Sequence, residues 1–132
     1  MLKSLIQLCA ATLFAIALAA AAQAPGVNPV KPTPAGLAKA KTIYTNDCSM
    51  CHGDKGDGKT SLASDMSLTL DDWTSPTALA NKSDKDLFDQ IRNGKDKMPP
   101  EDATRAKDDD VWNLVTYIRG MSKGSAAASA PK

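Results

Sequence analysis

The 132-residue chain holds one histidine and three cysteines. A lone histidine excludes any metal centre or catalytic constellation built on several imidazoles, and no other imidazole can stand in for His52. Zinc takes four ligands, usually as two cysteine pairs, and one pair with one histidine falls short of that. The cysteines do not make a disulfide framework either: Cys9 sits near the start, and Cys48 and Cys51 share a single tetrapeptide. Charge of neither sign is in excess, with 16 Lys and Arg against 15 Asp and Glu and a net charge of +1. A nucleic-acid partner, which calls for a marked basic surplus, is therefore not expected. No segment shows the apolar–polar alternation of a strand, which removes the βαβ frame of a thioredoxin-like dithiol enzyme. Internal repeats are absent as well.

The first segment, residues 1–22, has a basic start at Lys3, an apolar middle through Leu13, Phe14, Ile16 and Leu18, and a closing run of alanines. That order is a secretory signal peptide, with Ala20 and Ala22 as the small residues before the cut. The competing reading is an uncleaved anchor, since Ser4 to Ala22 carries no charge and about 20 apolar residues span a bilayer. In that case alone is a membrane a partner. Alanine is weakly apolar, which favours cleavage and a periplasmic location. Removal of Lys3 leaves 15 basic against 15 acidic residues, a net charge of zero. Cys9 follows Leu8, not a small residue, so it is not a lipoprotein site. Residues 23–34 contain Pro25, Pro29, Pro32 and Pro34 and read as an extended linker. Residues 122–132 lack a large apolar side chain and read as a disordered tail. The folded part is 35–121.

Three helices are expected there. The first covers about Ala35 to Asp47, with Leu37, Ala40, Ile43 and Tyr44 on one stripe. The second opens at Ser83 as N-cap, with Asp84 and Asp86 in the first turn. It buries Leu87, Phe88 and Ile91 and stops at Gly94. The third opens near Asp108, buries Val111, Leu114, Val115, Tyr117 and Ile118, and stops at Gly120. Between Gly53 and Lys82 lies a long stretch rich in glycine, serine and aspartate. A connection of that length calls for something to fill the middle of the domain, and a cofactor would do so.

Cys48-Ser49-Met50-Cys51-His52 is the strongest signal. C-x-x-C-H is the attachment motif of c-type haem. Each thiol adds across one vinyl group of the porphyrin, and the two-residue gap lets both sulfurs reach one edge of the ring. The histidine beside the second cysteine then lies under the iron as proximal ligand.

The chain resembles the single-haem class I cytochromes c of bacteria. Three pieces carry the resemblance: Tyr44 with Cys48 to Gly53 and Gly56-Asp57-Gly58; Ile91 to Gly94 leading to Met98-Pro99; and Leu114 to Arg119. The resemblance implies an all-α fold of about three main helices wrapped round one covalently bound haem. It implies Met98, in Met98-Pro99-Pro100, as second axial ligand, with Met66 and Met121 as the other methionines in question. A thioether is soft and neutral and favours the reduced iron, so a positive potential is expected. Met50 lies on the tether between the cysteines and is excluded. Relatives often place glycine where the first and last helices cross, four residues before the aromatic; here that residue is Ala40. Many relatives also have a proline carbonyl that accepts from the proximal histidine; this chain has no proline between Gly53 and Trp73, which leaves a carbonyl near Ser67 or Leu68 for the role. Trp73 stands where relatives place an aromatic near a haem propionate, as an indole donor or as packing on the ring.

The function implied is one-electron transfer in the periplasm, by a carrier and not an enzyme. Its partners would be a dehydrogenase as donor and an oxidase or reductase as acceptor, with Lys95 and Lys97 facing an acidic partner. A haem subunit of one oxidoreductase complex is the alternative. A thiol-disulfide enzyme and a ligand-binding haem sensor rank below both. An 87-residue folded part (35–121) is small for a generous core, so haem is expected to supply much of the interior. A double Cys48→Ala, Cys51→Ala variant should accordingly show no cooperative thermal transition by circular dichroism.

Overall fold

The computed structural model describes residues 26–128, with side chains through 122. The signal or anchor at 1–22, residues 23–25 of the linker and 129–132 of the tail lie outside the described residues. The described residues are helical and contain no strand. The elements are α1 (Pro34–Ile43), a π-helical turn (Tyr44–Cys48), α2 (Ser49–His52), α3 (Ser61–Asp65), α4 (Asp84–Asn93) and α5 (Asp108–Ala128).

Helix α1 starts one residue earlier than expected because Thr33 caps it and Pro34 fills the first turn, where a missing N–H is harmless. Its end differs more. The backbone widens over Tyr44–Cys48, and the Ser49 N–H bonds the Tyr44 carbonyl five residues back. Such π turns cluster at functional sites; this one re-aims Cys48 and the residues beyond it, and it has no periodicity signal in the sequence. Helix α4 carries the expected Ser83 cap as a full capping box with Asp86, and ends at Gly94.

Helix α5 does not stop at Gly120 but continues to Ala128, taking in part of the segment read as a disordered tail. A mid-helix glycine costs only about 1 kcal/mol relative to alanine. Met121, packed against the core, and the alanine-rich sequence of residues 126–128 favour continuation.

Helices α1 and α5 cross, and α4 packs on α5. Ala40, Ile43 and Tyr44 meet Val111, Leu114, Val115 and Ile118, with Leu87 and Ile91 closing the cluster. Ala40 is fully buried at the crossing. One turn before it, a Cβ on Gly36 would lie 2.8 Å from Asn113 Oδ1, so a second small residue shares the close approach. Phe88 of α4 stacks on Trp112 of α5 with centroids 4.2 Å apart.

The described part of the proline segment is a strap, not a free tether. Asn28 donates from Nδ2 to the Trp112 carbonyl (2.8 Å) and to Thr116 Oγ1 (3.0 Å), and its backbone N–H bonds Asp84 (3.1 Å). Prolines lack donors, so Asn28 supplies the strap's side-chain ties to α5, and the Gly26 carbonyl accepts from Lys85 N–H of α4 (3.2 Å). Arg119 braces the same corner through Asp84 and the carbonyls of Leu79 (3.2 Å) and Lys82 (2.5 Å). Asn28→Ala should lower the unfolding free energy by about 1 kcal/mol or more, read from the midpoint of denaturant unfolding.

Candidate haem-attachment site

The π turn delivers Cys48 to the core edge, and α2 carries Cys51 and His52 one turn further. The loop after His52 is drawn back by backbone bonds. Gly58 N–H reaches the His52 carbonyl (2.8 Å), Trp73 N–H reaches Gly56 (2.7 Å), and Thr60 Oγ1 donates to the Cys51 carbonyl (3.2 Å). The buried Tyr44 hydroxyl donates to the Gly53 carbonyl at 2.6 Å. Gly56 has φ +76, and a Cβ there would meet Met121 Sδ at 2.5 Å and Trp73 Cε3 at 3.1 Å. Only glycine suits that position.

Trp73 stacks on the His52 imidazole, with centroids 4.3 Å apart and planes 17° from parallel. Cys48, Trp73 and Met98 all pack against the one core cluster. Met98 sits in a tight hairpin closed by two backbone bonds with Lys95 (3.0 and 2.8 Å). Met66 is exposed on a turn, and Met121 lies at the core edge by Gly56.

Electrostatics sort the chemistry available. Burial pushes the Cys48 thiol up to about 12, with Glu101 and Asp47 adding to the shift. Disulfide exchange needs a thiol depressed toward neutrality, so this displacement speaks against a dithiol enzyme. Cys48 and Cys51 are both unbridged. Burial also lowers the His52 pKa, partly opposed by Asp71, which keeps the imidazole in the neutral form a metal binds. Its Nδ1 is buried with no protein partner; the carbonyl near Ser67 or Leu68 expected to serve it is not within bonding reach. Among the described residues no group of three or more His, Cys, Asp or Glu side chains converges on a point that could hold a bare ion. Two unbridged thiols beside one neutral imidazole fit a tethered haem, which brings its own equatorial ligands.

A groove of about 720 Å³ lies elsewhere, between Asn28, Val30, Leu37, Asp54, Tyr117 and Met121. Neither cysteine, His52, Trp73 nor Met98 lines it.

Residues 35–118 match the family described as cytochrome c oxidase, cbb3-type, subunit III. The chain belongs to this family. It is thus a class I c-type cytochrome, a family whose members carry electrons on haem. Similar proteins include the cbb3-type cytochrome c oxidase subunit CcoP of Azospirillum brasilense, 28% identical over 90 residues, which are 68% of this chain and 30% of the relative. Cytochrome c-555 of Methylococcus capsulatus (strain Bath) is 27% identical over 81 residues, 61% of this chain and 58% of the relative. The chain therefore matches less than two thirds of the length of either relative.

The cytochrome site also has parts that sequence reasoning missed. Arg105 donates to Asp47 (2.9 Å), the residue before Cys48, and approaches Glu101 (3.3 Å), three residues past Met98. Arg92 donates to the carbonyls of Glu101 (3.0 Å) and Ala106 (2.9 Å). Arg105 thus binds the segment holding the cysteines to the segment that follows Met98, and Arg92 ties that segment to α4. Arg105 and Asp47 are 58 positions apart, so nothing local in the sequence marks their pairing.

Glu101 is the one buried carboxylate among the described residues, 8% exposed. Its Oε1 makes no hydrogen bond, and burial raises its pKa, aided by Asp47 and opposed by Arg105 and Arg92. A carboxyl whose folded pKa lies above its unfolded value favours folding most when protonated. Stability from this group is therefore greatest in acid and is lost as pH rises through the raised folded value. Glu101→Gln should equal or exceed the parent in thermal midpoint at neutral pH, with the gap closing as pH falls below the ordinary glutamate range. A parallel pair of midpoint-against-pH curves would contradict this.

Proposed function

We propose that the chain is an exported, periplasmic carrier of single electrons, with one haem c joined to Cys48 and Cys51 and with His52 and Met98 as axial ligands. The observation that carries the reading is the Cys48 to His52 motif at the core edge, with two unbridged thiols and a neutral, half-buried imidazole. Haem c supplies a one-electron couple when bound. The protein's own residues do the rest. Cys48, the last residue of the π turn, and Cys51 in α2 would tether the group at the core edge. His52 would offer its imidazole, against which Trp73 stacks, and the Trp73 indole would either pack on the group or donate to one of its carboxylates. Met98, in a hairpin closed by backbone bonds with Lys95, would be the second ligand, which would keep oxygen and small ligands from binding and limit reorganisation on electron transfer. A dehydrogenase would serve as donor and an oxidase or reductase as acceptor.

A second reading has its own support. The matched family is named for an oxidase subunit, and one relative bears such a subunit's name. The chain would then serve as a haem subunit of a redox complex. Among the described residues no helix is long and apolar enough to cross a membrane. Purification of the exported protein separates the two: a carrier elutes alone, and a subunit elutes with its oxidoreductase.

The reduced protein should show the sharp bands of thioether-linked haem, and the oxidised protein the weak far-red sulfur-to-iron band. Met98→Ala should abolish the far-red band, lower the potential and admit carbon monoxide to the reduced form at neutral pH. Retention of the band in that variant would move the ligand to another methionine.

A further inference from the structure

The chain around Met98 is fixed from several sides. Gly94 at φ +73 turns out of α4, and a Cβ there would lie 2.5 Å from the Met98 carbonyl oxygen. Lys95 closes the hairpin by two backbone bonds, and Lys97 Nζ ties it to the Met66 carbonyl at 2.7 Å. Beyond it, Glu101 N–H returns to the Ile91 carbonyl at 2.9 Å. The backbone of Met98 is thus settled by its surroundings. What it leaves free is rotation about the side-chain bonds, and with it the direction of the sulfur lone pairs.

That freedom is where Gln90 enters. Gln90 is half-buried on the inner part of α4, one turn before Gly94. Its side-chain Nε2 lies 3.8 Å from Met98 Sδ, placed to donate to the thioether. A thioether sulfur has two lone pairs and is a weak acceptor. If one pair binds a metal, the other stays available to an N–H donor, and a donor fixed on a helix decides which is which.

We infer that Gln90 is a positioning residue for Met98, its amide N–H holding one sulfur lone pair so that the other is presented for ligation. This deepens the proposed function and rests on Met98 being an axial ligand. Gln90 does not touch the reacting group itself. It restricts the side-chain rotation that the hairpin leaves open, and it draws electron density from the sulfur. Less density on the sulfur favours the reduced metal over the oxidised one, so the contact also raises the potential. Partners of this kind typically change metal–ligand affinity by about 10- to 100-fold when removed. A donor to sulfur belongs at the low end of that range.

The test uses the full, haem-loaded protein with Gln90→Leu and Gln90→Glu. The glutamate keeps the shape and packing of the parent but, ionised at neutral pH, has no N–H to donate; it also serves if the leucine variant fails to fold. Imidazole is titrated into the oxidised form while the far-red band is monitored, because imidazole binds only as Met98 leaves. Both variants should take imidazole roughly tenfold more tightly than the parent. Both should have a lower potential and shifted methyl and methylene resonances of Met98. Variants with parental imidazole affinity and potential overturn the inference about Gln90. A parent that itself lacks the far-red band removes Met98 as a ligand, and the inference falls with that reading for a visibly different reason.

Discussion

Tyr44 is where the core and the site are joined. Its ring is 1% exposed, lies 5.4 Å from Tyr117 and 6.5 Å from Trp73, and its hydroxyl donates to the Gly53 carbonyl at 2.6 Å. Burial anchors the end of α1 against α5, because an aromatic ring of this size is a large part of a small core. The hydroxyl must find a partner once buried, and the one it finds is the residue directly after His52. The crossing of α1 and α5 therefore fixes where the cysteines and the histidine stand. Burial drives the phenol's pKa well above its ordinary value, with Cys48 the next contributor, so this donor keeps its proton.

The second constraint is polar. The segments on either side of the site are far apart in sequence and share no regular hydrogen-bonded element. Arg105 holds them together by reaching Asp47 and Glu101, and Arg92 fixes the Glu101 segment to α4 through the Glu101 and Ala106 carbonyls. Ion pairs on an exposed arginine contribute little to stability. Their value here is geometric, since they fix the Met98 segment relative to the cysteines. The accompanying burden is Glu101, a carboxylate buried with incomplete pairing. Carboxyls perturbed in this way cluster at functional sites.

Much of this was legible from residues alone. The stripe of α1, the Ser83 cap, the Gly94 stop and the buried face of α5 come from helical spacing and capping chemistry, which are local rules. The C-x-x-C-H motif was legible because two thioethers and an imidazole need that spacing and little else. The π turn was not, since a single inserted residue leaves the apolar pattern of α1 intact. Nor was the strap, because proline composition signals extension and is silent on the contacts an extended chain makes. Gly120 misled for the converse reason: a glycine stops a helix only when the chain has somewhere else to go, and Met121 and the alanines beyond it favour going on.

The sequence by itself determined an all-α chain with one haem-attachment motif and one histidine to serve it, because each of those depends on neighbours within a few residues. The tertiary structure alone decided that Trp73 lies flat on His52, that Arg105 spans from Asp47 to Glu101, and that Gln90 reaches the sulfur of Met98. Those contacts depend on how α1, α4 and α5 pack and on how the loops return to them. No local pattern encodes a distance between residues that only the burial of a shared core brings together.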